Sequence, residues 1–216
     1  MNKKVSMWIG IVLRSIVFAL LLTIALGYLF GFRASLVIGS SSEPNIHIQS
    51  LIIDYKCAYE DLKPGDYLTF KTGSYVTHQI IYIKPKGEYI QSGEVIRFEH
   101  CGMKLEHRMD ITSNQYQILT MPTNEALLKN LREDYAEWKA KPENAGDDAY
   151  FNYSRGPVID NVKYSQVVGK VIYSLTNTGK FIFFVRNNFL QIIVYGIILY
   201  AGSLLLRTDQ DYVKLF

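Results

Sequence analysis

The chain has 216 residues, of which 49% are apolar and 13% aromatic, a richer apolar content than a soluble domain of that size needs. Its 23 basic and 20 acidic residues leave a formal charge of +3, which excludes a strong electrostatic pull toward nucleic acid. There is no Gly-rich phosphate loop, no metal-ligand spacing and no internal repeat, so no cofactor or metal is expected.

In chain order, Lys3, Lys4 and Arg14 precede an uncharged run from Ser15 to Phe32. Eighteen helical residues reach about 27 Å, close to the hydrocarbon thickness of a bilayer. A cleavable signal peptide competes with this reading, but its apolar region is usually shorter and ends in small residues. Here the run ends in aromatics, with Ala34-Ser35-Leu36 a weak cleavage site, so a retained anchor is expected over residues 1–33. A second uncharged run extends from Asn187 to Leu206, lengthened on its near side by Phe181 to Val185, and predicts a second membrane helix over 181–207. Two spans place both termini on one side, including a short tail at 208–216. The excess of Lys and Arg before the first span makes that side the cytoplasm, so the domain at 34–180 faces out.

Within that domain the apolar runs are short and β-rich: Leu51 to Ile53, Tyr67 to Phe70, Tyr75 to Ile83, Val95 to Phe98, Tyr116 to Leu119 and Val167 to Leu175. Turn signals at Lys63-Pro64-Gly65-Asp66, Lys71-Thr72-Gly73-Ser74 and Lys84-Pro85-Lys86-Gly87 separate them, which predicts a compact, mainly β domain. One segment differs. Asn124 to Lys141 carries Leu127, Leu128, Leu131, Tyr135 and Trp138 on one face and meets Pro142, so an amphipathic helix inserted at about 123–142 is expected to pack its stripe on the sheet. A polar turn, Glu143 to Asp148, comes next. Cys57 and Cys101 are too few for a disulfide framework, and read as two separate thiols or one bridge.

The chemistry concentrates between Gly39 and His78. Ser40, Ser41 and Ser42 lie just beyond the first span, followed by Glu43 and Pro44, and His78 sits in a β-rich run. A serine hydroxyl becomes a nucleophile when a positioned base takes its proton and donors stabilise the oxyanion. His47, His100 and His107 have no motif around them and read as surface residues. Lys71 and Lys84 are alternative bases, but each would have to lose its proton near neutral pH while beside polar turn residues.

These residues carry a resemblance. Gly39-Ser40-Ser41-Ser42-Glu43-Pro44 after an anchor, Lys63-Pro64-Gly65-Asp66, Thr77-His78-Gln79-Ile80-Ile81, and then Gly146-Asp147, Ser154-Arg155-Gly156 and Val168-Gly169-Lys170-Val171 resemble, in order, the motifs of the type I signal peptidases. Those are membrane-anchored serine proteases that remove signal peptides from exported proteins. The histidine places the resemblance with the archaeal and endoplasmic-reticulum type, and it covers about Leu36 to Tyr173. It implies a signal-peptidase-like β domain flanked by two transmembrane helices, with Ser41 as nucleophile, His78 as base and Asp147 as the acid supporting it. Asp148 and Asp160 are substitutes for Asp147. The backbone N–H of Ser41 would serve as oxyanion donor with Ser40 as partner, and Ser42 and Pro44 would contact substrate. The sequence departs from the family pattern: Ser42 stands where methionine is usual, Ser40 where glycine is, Tyr153 or Ser154 where a second acid is, and the 68 residues between His78 and Asp147 exceed the spacing of compact histidine-type members.

The implied partners are preprotein signal peptides, the lipid bilayer and the secretion machinery. Alternatives are a catalytically inactive membrane scaffold with a peptidase-like domain, or a peptidase dedicated to a pilin or matrix protein. A histidine base predicts activity rising with pH around neutrality, and a lysine base a rise well above it. Asn152-Tyr153-Ser154 is a glycosylation sequon inside the last motif, where a glycan would crowd the site, which favours a bacterial plasma membrane.

Overall fold

The computed structural model describes residues 3–111, 115–144, 146, 148–153, 159–176, 178–189, 191, 194–195 and 197–198. The first helix, α1 (Lys3–Leu29), includes a 20-residue window, Gly10–Leu29, with a mean hydropathy of 2.2 and no part of it buried by the rest of the protein. By length and composition it can cross a membrane. It ends at Leu29, short of Phe32, because Gly31 turns the chain at φ +89° and Arg33 caps the helix. The Arg33 guanidinium lies 3.6 Å from the Tyr28 ring centroid and donates to the Tyr28 carbonyl at 2.9 Å, satisfying one of the terminal carbonyls.

The strands after α1 form two sheets. Strands β1 (Phe32–Leu36), β2 (Leu51–Tyr55), β3 (Tyr67–Thr72) and β4 (Ser74–Ile83) precede a separate hairpin, β5 (Val95–His100) and β6 (Met103–Arg108). After β7 (Ile118–Met121) comes α2 (Glu125–Lys139), then β8 (Phe151–Asn152), β9 (Asp160–Val162), β10 (Val167–Leu175) and α3 (Thr178–Asn187). The larger sheet has the order β1-β2-β10-β3-β4-β7-β9 and is antiparallel throughout. The smaller has the order β5-β6-β8, with β8 parallel to β6.

Strands cover each of the expected β runs, with the run at 116–119 displaced to 118–121. Unanticipated strands are β1, which begins at the expected end of the span and runs on into the domain, and β6, β8 and β9. Successive residues of a strand face opposite sides, so neighbours enter different cores. Ile80, Ile118 and Val162 join Leu68, Phe70, Tyr59 and Leu62 on one face of the large sheet. Ile81, Leu119 and Met121 on the other face meet Ile96, Phe98 and Leu105 of the small sheet and Leu128 and Leu131 of α2. The stripe of α2 therefore packs as expected except for Leu127, which is exposed. Asn124 caps the helix, accepting from the Ala126 and Leu127 amides. Of the expected second span, α3 is described as far as Asn187; much of the chain beyond it, including everything from 199 onward, lies outside the described residues.

Candidate active site

His78 lies on β4, the longest strand of the large sheet, opposite Leu68 of β3. Its Nδ1 is 2.6 Å from Oδ2 of Asp160 on β9. The register explains the contact: Ile80 and Asp160 both pair with Thr120 of β7, so Asp160 stands in line with Ile80, on the face that His78 shares with it. The buried Phe70 ring meets the imidazole edge-on, with centroids 6.2 Å apart, and limits its rotation. With the carboxylate on Nδ1, that nitrogen carries the proton and Nε2 is the one able to act as base.

The turn that anchors β4 is the Pro64-Gly65-Asp66 signal. Gly65 adopts φ +94°, its amide donates to the Ile80 carbonyl at 2.8 Å, and the Ile80 amide returns a bond to Asp66. The Asp66 carboxylate is 2.9 Å from the Lys170 ammonium, joining this motif to the Val168-Gly169-Lys170 motif of β10. Gly169 is required for space, since a Cβ there would stand 2.9 Å from the Tyr55 carbonyl oxygen and 3.0 Å from the Asp54 Cβ.

The serine cluster folds as a tight turn beside β4. Strand β7 stops at Met121, opposite Gln79, and among the described residues β4 has no strand partner on that side from Ser74 to His78. Ser42 fills part of the gap; it is 2% exposed and its hydroxyl donates to the Thr77 carbonyl. The Ser41 carbonyl accepts from the Thr123 and Asn124 amides at 2.8 and 3.1 Å, and the Asn124 side chain donates to the Ser40 carbonyl at 2.8 Å. Thus the N-terminal end of α2 clamps the turn. Among the described residues the Ser41 hydroxyl makes no hydrogen bond, and neither the Ser41 nor the Ser42 amide donates one. Those two amides are available as oxyanion donors. The Glu43–Pro44 peptide is cis.

Ser41, Ser42 and His78 line one cleft of about 910 Å³, walled by Ser35 to Gly39 on one side and Ser74 to His78 on the other. Its lining is largely apolar, and Ile38 and Tyr75 at its sides are 69% and 66% exposed. Ser40 and Pro44 do not line the cleft, so the hydroxyl of Ser40 is not placed beside the expected oxyanion. Asp147 lies outside the described residues, as do Ser154, Arg155 and Gly156; Asp148 is described and exposed. Asp160, named from sequence as a substitute, is the carboxylate on His78.

The other titratable candidates fall away from this chemistry. The Glu94 carboxylate, 2.5 Å from the Lys84 ammonium, raises Lys84 above the ordinary lysine value and keeps it protonated. Lys71 is exposed, with its ammonium 5.7 Å from the Tyr75 ring centroid. Cys57 and Cys101 are free thiols, and burial pushes both upward, away from nucleophilic thiolate.

His100 corrects the expectation of a surface residue. It is 2% exposed, and its Nε2 lies 2.8 Å from the Pro122 carbonyl, in the segment that clamps Ser41. Pattern could have shown this: in Val95 to His100 the even positions Ile96, Phe98 and His100 all face inward. His107 is half-buried, with Nδ1 2.8 Å from the Tyr153 carbonyl, and His47 is exposed as expected. Tyr153 is buried in the core, where desolvation pushes its phenol up to about 12.

The geometry defines a mainly β protein of two sheets with an apolar N-terminal helix, whose cleft is lined by Ser41 and by His78, the latter paired with Asp160. Compared with known proteins, the chain matches no family model and no curated protein.

Proposed function

We propose that this protein is a membrane-anchored serine endopeptidase of the signal peptidase type, with Ser41 as nucleophile, His78 as base and Asp160 as the group that orients the imidazole. The observation that carries the reading is the His78 Nδ1 to Asp160 contact of 2.6 Å in a histidine that shares its cleft with Ser41. In this mechanism Nε2 of His78 takes the Ser41 proton as the hydroxyl oxygen attacks the scissile carbonyl. The tetrahedral oxyanion is met by the Ser41 and Ser42 amides, and the imidazolium then protonates the leaving amine. Water repeats the sequence to release the acyl-enzyme. An extended substrate would pair with the edge of β4 that β7 leaves open, at Ser74 to Val76. The exposed, apolar Ile38 and Tyr75 favour an apolar peptide arriving from the bilayer surface, next to the end of α1.

The test is cleavage of a preprotein by the full chain in proteoliposomes, followed by the mass of the released fragment. Wild type and Lys71→Ala should cleave at one site, and His78→Ala should fall by more than about a thousandfold. The scaffold alternative draws on the unbonded Ser41 hydroxyl and predicts no cleavage by wild type of any preprotein. Equal activity in His78→Ala would overturn the assignment of the base.

A further inference from the structure

Beneath the cleft lies a carboxylate that the proposed mechanism does not use. Asp54 of β2 is fully buried, and both of its oxygens accept hydrogen bonds from hydroxyls: Ser35 donates to Oδ2 at 2.9 Å and Thr69 to Oδ1 at 2.7 Å. Among the described residues no lysine or arginine pairs with it; the ammonium of Lys170, on the adjacent strand β10, is bound to Asp66 instead. A buried carboxylate without a cation is costly, and it draws hydrogen-bond donors toward itself.

The direction of the next bond is set by proton counting. Thr69 uses its one hydroxyl proton on Asp54, so in the 3.0 Å contact between the Thr69 and Thr77 hydroxyls the proton belongs to Thr77. All three hydroxyl protons are therefore turned inward, toward Asp54. Ser35, Thr69 and Thr77 all line the cleft, and Ser35 and Thr77 are half-buried rather than sealed. Their oxygens meet the cleft as acceptors only, polarised by the charge behind them, in a lining that is otherwise mostly apolar. Burial pushes the Asp54 carboxyl up and the two hydroxyl donors oppose that shift.

We infer that Ser35 and Thr77, backed by Asp54, form a specificity subsite that accepts a hydrogen-bond-donating side chain, a hydroxyl or an ammonium, from one position of the bound peptide. The inference rests on the reading of this cleft as a peptide site. An apolar side chain in the same place leaves the two acceptors desolvated and unpaired, and a site built to hydrogen-bond a donor rejects the analogue that lacks it.

Binding tests this independently of catalysis. The full-length Ser41→Ala protein in detergent is titrated with labelled cleavage-site peptides in which each position is in turn Ala, Ser or Lys. At one position Ser or Lys should bind about tenfold more tightly than Ala. The same series on Ser41→Ala/Thr77→Val, which keeps the β-branched shape and the Thr77 carbonyl, should lose that ratio. Asp54→Asn should reduce the advantage of Lys more than that of Ser. A Lys advantage identifies an ammonium ligand, and a Ser advantage alone identifies a hydroxyl. The subsite is overturned if no position prefers a donor, if no peptide binds, or if the preference survives Thr77→Val. Wild-type cleavage without any donor preference would sink the subsite and leave the peptidase standing. Donor-selective binding with no cleavage would do the reverse.

Discussion

At the scale of single residues, the contact between His78 and Asp160 orients the imidazole. The carboxylate accepts from Nδ1 and leaves Nε2 as the nitrogen that would act as base in the proposed mechanism. Asp160→Asn keeps the shape and removes the charge. Its amide can also present N–H to Nδ1, which would put the ring proton on the wrong nitrogen. The variant should cleave a preprotein at least about a hundredfold more slowly, with the loss in kcat rather than KM. Unchanged kcat would mean that the ion pair is structural. Asp148→Asn, at an exposed position, should cleave like wild type. The sequence named Ser41 and His78 because short motifs surround them, whereas Asp160 lies 82 residues from His78 and becomes its neighbour only through β7.

At the scale of elements, the hairpin β5–β6 and the start of α2 hold the serine turn from behind. His100 donates from Nε2 to the Pro122 carbonyl, and the next two residues give their amides to Ser41. Its Nδ1 is buried without a partner among the described residues. Burial first, then the charges of Arg132 and His78, hold His100 below the ordinary histidine value of 6.5, while the Pro122 carbonyl opposes that shift. Cys101 has its Sγ 3.6 Å from Nε2 and in turn feels the charge of Glu125. Well above 6.5 neither the folded nor the unfolded chain protonates this ring, so it adds no pH dependence. As pH falls through that value the unfolded chain binds the proton first, and the folded state loses stability until the lower, folded value is passed. His100→Gln keeps an N–H for the Pro122 carbonyl but does not titrate. Thermal unfolding in detergent between about pH 7.5 and 5 should therefore show a shallower acid loss for His100→Gln than for wild type. Parallel curves would mean that His100 carries no part of the acid loss. The helix α2 and the strands with strong alternation were legible because local pattern specifies them. Strand β9, three residues long, was not, since its place is decided by pairing with β7.

At the scale of the whole molecule, α1 delivers the chain into β1, and β1 is the one strand between that helix and Ser41. An apolar helix, an apolar-walled cleft and exposed Phe30, Ile38 and Tyr75 all suit a peptidase working at the bilayer surface. The apolar N-terminal helix could be read from the sequence, since it is a local run. The sheet order could not, because β10 inserts between β2 and β3 from about a hundred residues downstream. That insertion gives Gly169 its reason, and it joins Lys170 to Asp66. The same long-range pairing sets Thr69 and Asp54 beneath the cleft, where nothing in the local sequence marks them. In the proposed mechanism Ser41 alone of three adjacent serines attacks, because Ser40 lies outside the cleft and the Ser42 hydroxyl is bound to Thr77. Single-turnover cleavage of one preprotein by Ser40→Ala, Ser41→Ala and Ser42→Ala in proteoliposomes measures this directly. Ser41→Ala should lose more than about a thousandfold while the other two still cleave at the same bond; full activity in Ser41→Ala, with loss in either neighbour, would contradict it.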